Sequence, residues 1–163
     1  MARITIVGTG RMALGLGKGW ANSGHEIVFA SRNPAARADS IAGVKGAKIS
    51  SIPEALSEAE VVIIAMPYPA VEPFAKDHAS HLRDKVIIDI SNPFGHLPDN
   101  RISGAEITAA AIGPGARVVA AFKDNFWKTL LEPRHPGGLP RDVHFAGDHE
   151  ADKQIVAQLI EDL

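Results

Sequence analysis

The stretch RITIVGTGRMALGLGKGWANSGHEIVFASRNP, residues 3–34, decides the fold. Residues 3–8 form a short β-branched run with a strand's character. Gly8-Thr9-Gly10-Arg11-Met12-Ala13 follows at once and opens a helical pattern that ends at Gly24, where a left-handed cap is wanted. A second β-branched run, EIVFAS at 26–31, comes next. Strand, glycine turn, helix and strand within some thirty residues form a parallel crossover unit. The spacing G-x-G-x-x-A has a physical reading in that setting. Gly8 permits a tight turn, Gly10 lets a pyrophosphate approach the backbone, and the small Ala13 lets the helix pack close to the strand. The free amides and positive end of the helix would then receive the phosphates. Dinucleotide binding is the expectation.

The same alternation runs along the whole chain. Further strand-like runs are AKIS (47–50), VVIIAMP (61–67), KVIIDIS (85–91), RVVAAF (117–122) and DVHFAG (142–147). Helical patterns cover 11–23, 34–43, 53–58, 70–81, 103–112 and 149–162. Runs that are apolar on both faces suit strands covered on both sides. The expected fold is α/β, a doubly wound, mostly parallel sheet with helices on both faces, Rossmann-like, in one dinucleotide-binding domain over 1–163. The Pro/Gly-rich stretch 123–141 is the only long irregular region, a connection or a cover for a site.

The end of the second strand then discriminates between cofactors. NAD-specific folds place an Asp or Glu there to accept the ribose 2′-hydroxyl. Here the only acid on the strand is Glu26, at its start; the end reads Ala30-Ser31-Arg32-Asn33. A hydroxyl and a guanidinium suit a 2′-phosphate, and no carboxylate repels it. Arg37, one turn onward, could add a second positive charge. The cofactor expected is NADP(H).

Composition narrows the rest. Hydrophobic residues make up 45% and charged residues 22%, with a formal charge of −2, which gives no reason to expect nucleic acid or an anionic membrane as partner. The absence of cysteine excludes disulfides, thiolate catalysis and Cys-ligated metals. The longest apolar run is too short to cross a bilayer and the amino terminus lacks an export pattern, so a cytoplasmic location is expected. His78 and His81 lie three apart without a third ligand, and no metal site is expected. His25 starts the second strand, at the wrong end of the sheet; His135 and His149 have no assignment.

Alcohol–ketone reductases need a group that moves the hydroxyl proton. The only tyrosine, Tyr68, is followed four positions later by Glu72, so the Tyr-x-x-x-Lys pair of short-chain dehydrogenases is absent. His96, after the fifth strand, lies at the ligand end of the sheet, facing either a ligand or solvent. Hydride exchange with a flavin-like ring needs mainly stacking and orientation. The small apolar strand ends AMPYPAV (65–71) and VVAAF (118–122) could wall such a site, or simply be buried.

These segments, with IIDISNP and FAGDHEADK, resemble the deazaflavin (coenzyme F420)-dependent NADP oxidoreductase family over essentially the whole chain, SRNP being the most specific part. The module is also similar to the cytoplasmic reductase domain of mammalian transmembrane metalloreductases. The resemblance implies an enzyme that passes hydride between NADPH and a deazaflavin. Thr9, Gly10, Arg11 and Met12 would bind the pyrophosphate beside Gly8, and Ser31 and Arg32 the 2′-phosphate. Ala65, Met66 and Pro67 would line the nucleotide, while Ala120 and Ala121 approach the nicotinamide. Two departures stand out. Lys123-Asp124-Asn125 replaces the family's usual Asn or His, Thr and apolar residue, and a lysine there would either favour an anionic acceptor or point to solvent. Family members also continue past the last helix, so the resemblance implies a truncated or a minimal member without their C-terminal extension, which would leave the acceptor site more open and a homodimer compatible with the sequence.

Three functions follow. The first is an NADP(H)-dependent oxidoreductase exchanging hydride with a deazaflavin (coenzyme F420) or with FMN or FAD. The second is an NADP(H)-binding module without turnover of its own, acting as a sensor or awaiting a partner. The third is a small carbonyl or imine reductase, with Lys123 or His96 as proton donor.

Overall fold

The computed structural model describes residues 1–99, 101–130 and 137–163. Seven strands form one sheet in the order β3-β2-β1-β4-β5-β6-β7. They are β1 (Arg3–Val7), β2 (Glu26–Ser31), β3 (Lys48–Ser51), β4 (Val61–Ile64), β5 (Val86–Asp89), β6 (Arg117–Ala121) and β7 (Phe145–Gly147). The first six are parallel, and β7 pairs antiparallel with β6. The strand order reverses between β1 and β4, the position at which doubly wound sheets open a crevice at their carboxyl edge.

Register makes that edge explicit. Ala30, Val7, Ile64, Asp89 and Ala120 stand side by side across the parallel strands, and Ala146 of β7 faces Ala120. Ser31, Gly8, Ala65, Ile90 and Ala121 are therefore the next row, with side chains on the opposite face.

The alternation sorts the apolar side chains into two cores. On one face Ile4, Ile6, Phe29, Ile63, Ile88 and Val119 pack with Ala13, Leu16 and Trp20 of α1 (Arg11–Asn22) and Val156 and Leu159 of α6 (Glu150–Glu161). On the other, Val7, Val28, Val62, Ile64 and Ile87 meet α2 (Ile52–Glu58), α3 (Val71–Asp77), α4 (Ala79–Leu82) and α5 (Gly104–Ile112). Each large side chain removed from water there contributes about 1.5–3 kcal/mol. Trp20 ties the two helices of the first face together: its indole Nε1 donates to the carbonyl of Leu159 at 2.7 Å, so its one polar group is satisfied in the core.

The local differences from the sequence reading have local causes. The pattern at 34–43 winds as a 3-10 helix, Ala35–Ile41, and 70–81 divides into a 3-10 turn at Tyr68–Ala70, α3 and α4, with a break at His78, whose φ is −114°. The last strand keeps only Phe145–Gly147 of 142–147. Of the irregular stretch 123–141, residues 131–136, and with them His135, lie outside the described residues. No helix among the described residues is long and apolar enough to cross a membrane.

Candidate active site at the carboxyl edge of the sheet

The glycine turn occupies the switch between β1 and β4. Gly8 has φ +115°, and a Cβ on it would come within 3.0 Å of the Ala65 carbonyl oxygen at the end of β4. Both the dihedral and the contact demand glycine. Gly10 is different: its φ is −76°, and a Cβ there would meet no heavy atom within 4 Å. The space above this residue is open. Ala13 is fully buried against the sheet, where a small side chain lets the helix approach. Further along α1, a Cβ on Gly17 would lie 2.7 Å from the Phe29 ring, so the helix needs a second small residue to sit close to β2.

The start of α1 carries no cap. Gly10 offers no side-chain hydrogen bond, and the first turn has no acidic residue. Helix α5 shows the contrast, since Glu106 N donates to Ser103 Oγ at 3.2 Å and Ser103 N to Glu106 Oε2 at 2.7 Å. An uncapped helix start beneath an open glycine turn suits an anionic group, because amides and dipole both face it. The turn therefore fits a pyrophosphate.

At the end of β2 the chain turns sharply. Asn33 N donates to Ser31 Oγ at 3.2 Å, and Ala36 N to Asn33 Oδ1 at 3.3 Å, which starts the 3-10 helix. Arg32 and Arg37 are exposed. Neither makes an ion pair among the described residues, and residues 30–38 include no carboxylate; the carboxylate of the neighbouring strand end, Glu54, accepts from Ser51 N and Oγ beside Ser31. The charge arrangement suits a phosphate and not a bare ribose diol.

The end of β6 is built by a strained residue. Phe122 has φ +57° although it is bulky and buried, an arrangement that costs about 1–3 kcal/mol. Packing holds it there, edge-on to Trp20 with centroids 6.1 Å apart. The kink folds Lys123 back toward β5. Its ammonium donates to the Ser91 carbonyl and lies 3.5 Å from Asp89 Oδ1, while Asn92 Nδ2 donates to the Lys123 carbonyl at 2.8 Å. Asp89 is fully buried and also accepts from Ser91 N at 2.8 Å, Ser91 Oγ at 2.6 Å and Thr108 Oγ1 at 3.0 Å. Burial holds the Lys123 ammonium below the ordinary lysine range, and the Asp89 carboxylate works against that shift. Lys123 thus spans the ends of β5 and β6, with its charge turned inward onto Asp89 instead of into solvent.

Beside it opens a cleft of about 400 Å³ lined by Ala120, Lys123, Asp124, His144, Phe145 and Ala146. Ala120 faces this space, whereas Ala121 is buried on the α1 side of the sheet and could offer only backbone. Ala65 and Met66 are half-buried at the end of β4, and Pro67 is exposed. His96 is exposed in the loop after β5, beyond Phe94 (φ +42°) and Gly95 (φ +89°).

Comparison with known proteins agrees with this geometry. The profile of the family described as NADP oxidoreductase, coenzyme F420-dependent, matches residues 3–93, from β1 past the end of β5. The chain belongs to this family. As a member it is an NADP-dependent oxidoreductase. It is 28% identical over 178 residues to the F420-dependent NADP reductase of Methanothermobacter thermautotrophicus, a match that covers 96% of this chain and 74% of that protein. Metalloreductase STEAP3 of Rattus norvegicus is 29% identical over 165 residues, covering 96% of this chain and 31% of that one. Among solved structures, a hypothetical protein of Sinorhizobium meliloti is 26% identical with a TM-score of 0.85, covering 99% of this chain and 81% of the other.

Three features of this family member escape a sequence reading. His144 and Asp124 are hydrogen-bonded through His144 Nδ1 at the rim of the cleft, although twenty residues separate them. Trp127 lies over Arg11, with the guanidinium carbon 4.8 Å from a ring centroid, so the segment after β6 reaches back to the glycine turn. Neither pairing has a periodic or motif signal. The third, Asp89, was visible only as a polar residue in the apolar run KVIIDIS.

Proposed function

We propose that this chain exchanges hydride between NADPH and a planar ring acceptor, a deazaflavin or a flavin, bound at the cleft beside the end of β6. The observation that carries the reading is the continuity of the carboxyl edge. An uncapped, open glycine turn lies at the β1/β4 switch, a carboxylate-free cationic turn at the end of β2, and an alanine-walled cleft at the end of β6. In this reading the backbone of Gly8, Thr9, Gly10, Arg11 and Met12 holds the pyrophosphate. Ser31 and Arg32 hold the 2′-phosphate, and Ala65, Met66 and Pro67 flank the nucleotide. Ala120 and the backbone at Ala121 orient the nicotinamide toward the cleft. The bound dinucleotide supplies the hydride, and the protein's part is to hold two rings in register.

Lys123 acts in this scheme as a strut, because Asp89 and Ser91 already engage its ammonium. That weighs against the carbonyl or imine reductase reading with Lys123 as donor. Similarity to the F420-dependent NADP reductase of Methanothermobacter thermautotrophicus supports a deazaflavin acceptor. The test is a calorimetric titration with NADPH and NADH, then with FMN or the deazaflavin in the presence of NADP⁺, followed by NADPH oxidation at 340 nm. NADPH preference, a second saturable event and turnover are the expected results. NADPH binding with no ring acceptor bound and no turnover would favour the binding-module reading.

A further inference from the structure

We propose that His144, held by Asp124, is the acid that protonates the ring acceptor as it takes up hydride. This assignment rests on the hydride-exchange reading above. The His144 imidazole stands at the rim of the 400 Å³ cleft, and its side chain is 84% exposed, so water can restore its proton. Its Nδ1 is engaged by the Asp124 carboxylate. That bond fixes the proton on Nδ1 and leaves Nε2 as the acidic position. Antiparallel pairing of β7 with β6, with Ala121 opposite Phe145 and Ala120 opposite Ala146, places the residue before Phe145 beside the turn that carries Asp124. Phe145 and Ala146 supply an apolar wall next to the dyad, and Ala120 continues it toward the expected nicotinamide.

The chemistry calls for such a group. The C4–H bond of the dihydronicotinamide breaks with its electron pair, and a new bond to hydrogen forms on the acceptor ring. The dinucleotide is oxidised by two electrons and the ring is reduced by two. One proton must still reach a ring nitrogen to neutralise the charge that arrives with the hydride. In this assignment the His144 Nε2–H bond breaks, the proton passes to that nitrogen, and neutral His144 keeps its Nδ1–H on Asp124 before solvent reprotonates it. The oxidative direction runs the same steps backward, with neutral His144 as base.

Among the described residues, the charges that act on the imidazole are Asp124 from the turn after β6 and Asp142 from its own segment, and Lys123 lines the same cleft. Asp124, first by its hydrogen bond and then by its charge, raises the His144 pKa above the ordinary histidine value of 6.5, with a smaller contribution from Asp142. The turned-in ammonium of Lys123 is engaged by Asp89 and Ser91. The imidazolium therefore persists to higher pH than that of an ordinary histidine.

The experiment combines turnover with a readout that does not depend on it. NADPH oxidation with FMN and with the deazaflavin is followed from pH 6 to 9 in the wild type, H144Q and D124N. In parallel, the His144 ring resonances are titrated by NMR, with and without oxidised FMN in the presence of NADP⁺. Wild-type kcat should fall above the NMR pKa of His144. H144Q should lose about 10²-fold in kcat together with that alkaline limb, while its NADPH affinity is unchanged. D124N should lower both the NMR pKa and the limb by the same amount, and FMN should shift the His144 resonances. Wild-type turnover with H144Q equal in rate and pH profile overturns the assignment alone, as does an imidazole that FMN leaves unmoved while turnover proceeds. A wild type that binds NADPH yet reduces no ring acceptor removes the hydride-exchange reading and this assignment with it.

Discussion

Gly8 and Ala65 approach so closely that the turn after β1 and the end of β4 leave no room for a Cβ between them. The contact is made at the point where strand order reverses, so the same two residues close the core and shape the floor of the crevice at the carboxyl edge of the sheet. Gly8→Ala must both abandon a positive φ and push the β4 carbonyl aside. It should cost at least about 1–3 kcal/mol in stability and weaken NADPH binding, read by urea denaturation and calorimetry.

Gly10→Ala provides the contrast. Its φ is ordinary and the space beyond it is empty, so stability should change by less than about 0.5 kcal/mol. A methyl group standing where a pyrophosphate approaches should nevertheless weaken NADPH by roughly tenfold or more. Unchanged affinity would move the pyrophosphate away from this turn.

Arg32→Ala should separate the two dinucleotides. Loss of a charge-assisted contact to the 2′-phosphate costs about 1.5–3 kcal/mol, roughly tenfold or more in NADPH affinity. NADH lacks that phosphate and should be affected little. Equal losses for both would remove Ser31 and Arg32 from the discrimination.

Lys123→Met tests the strut. Asp89 keeps its bonds from Ser91 and Thr108, so the loss should be about 1.5–3 kcal/mol, below the roughly 3–5 kcal/mol of a fully buried pair left without one partner. The sign of the pH dependence follows from the lowered pKa. Between the folded value and 10.5, the unfolded chain binds more protons than the native one, so Lys123 makes stability rise with pH across that window. The gap between wild type and K123M in urea denaturation should therefore widen from pH 7.5 to pH 10. A narrowing gap would mean that attraction to Asp89 outweighs desolvation.

Trp127 is half-buried over Arg11, while Trp20 is fully buried and bonded to Leu159. A pyrophosphate at the glycine turn should draw Arg11 from the indole face and change Trp127 emission. Titration with NADP⁺, which avoids energy transfer to reduced nicotinamide, should show a saturable fluorescence change in the wild type and none in W127F. A full response in W127F would leave Arg11 where it stands.

The sequence by itself determined the fold class, nearly every strand and the glycine turn, because these depend on short-range patterns. Two-sided apolar runs specify buried parallel strands, and Gly8, Gly10 and Ala13 answer a local steric demand that the next thirty residues place in context. The missing acid after β2 was legible for the same reason, being a single position in a known register. Tertiary structure alone decided the cleft beside the end of β6. Whether Lys123 faces a ligand or an internal carboxylate depends on the positive φ of Phe122, which packing against Trp20 enforces from a hundred residues away. Whether His144 is a surface residue or half of a dyad depends on β7 turning antiparallel onto β6 and bringing it to Asp124. Such juxtapositions carry no periodicity along the chain, since they come from long-range pairing and shared burial and not from the conformational preferences of neighbouring residues.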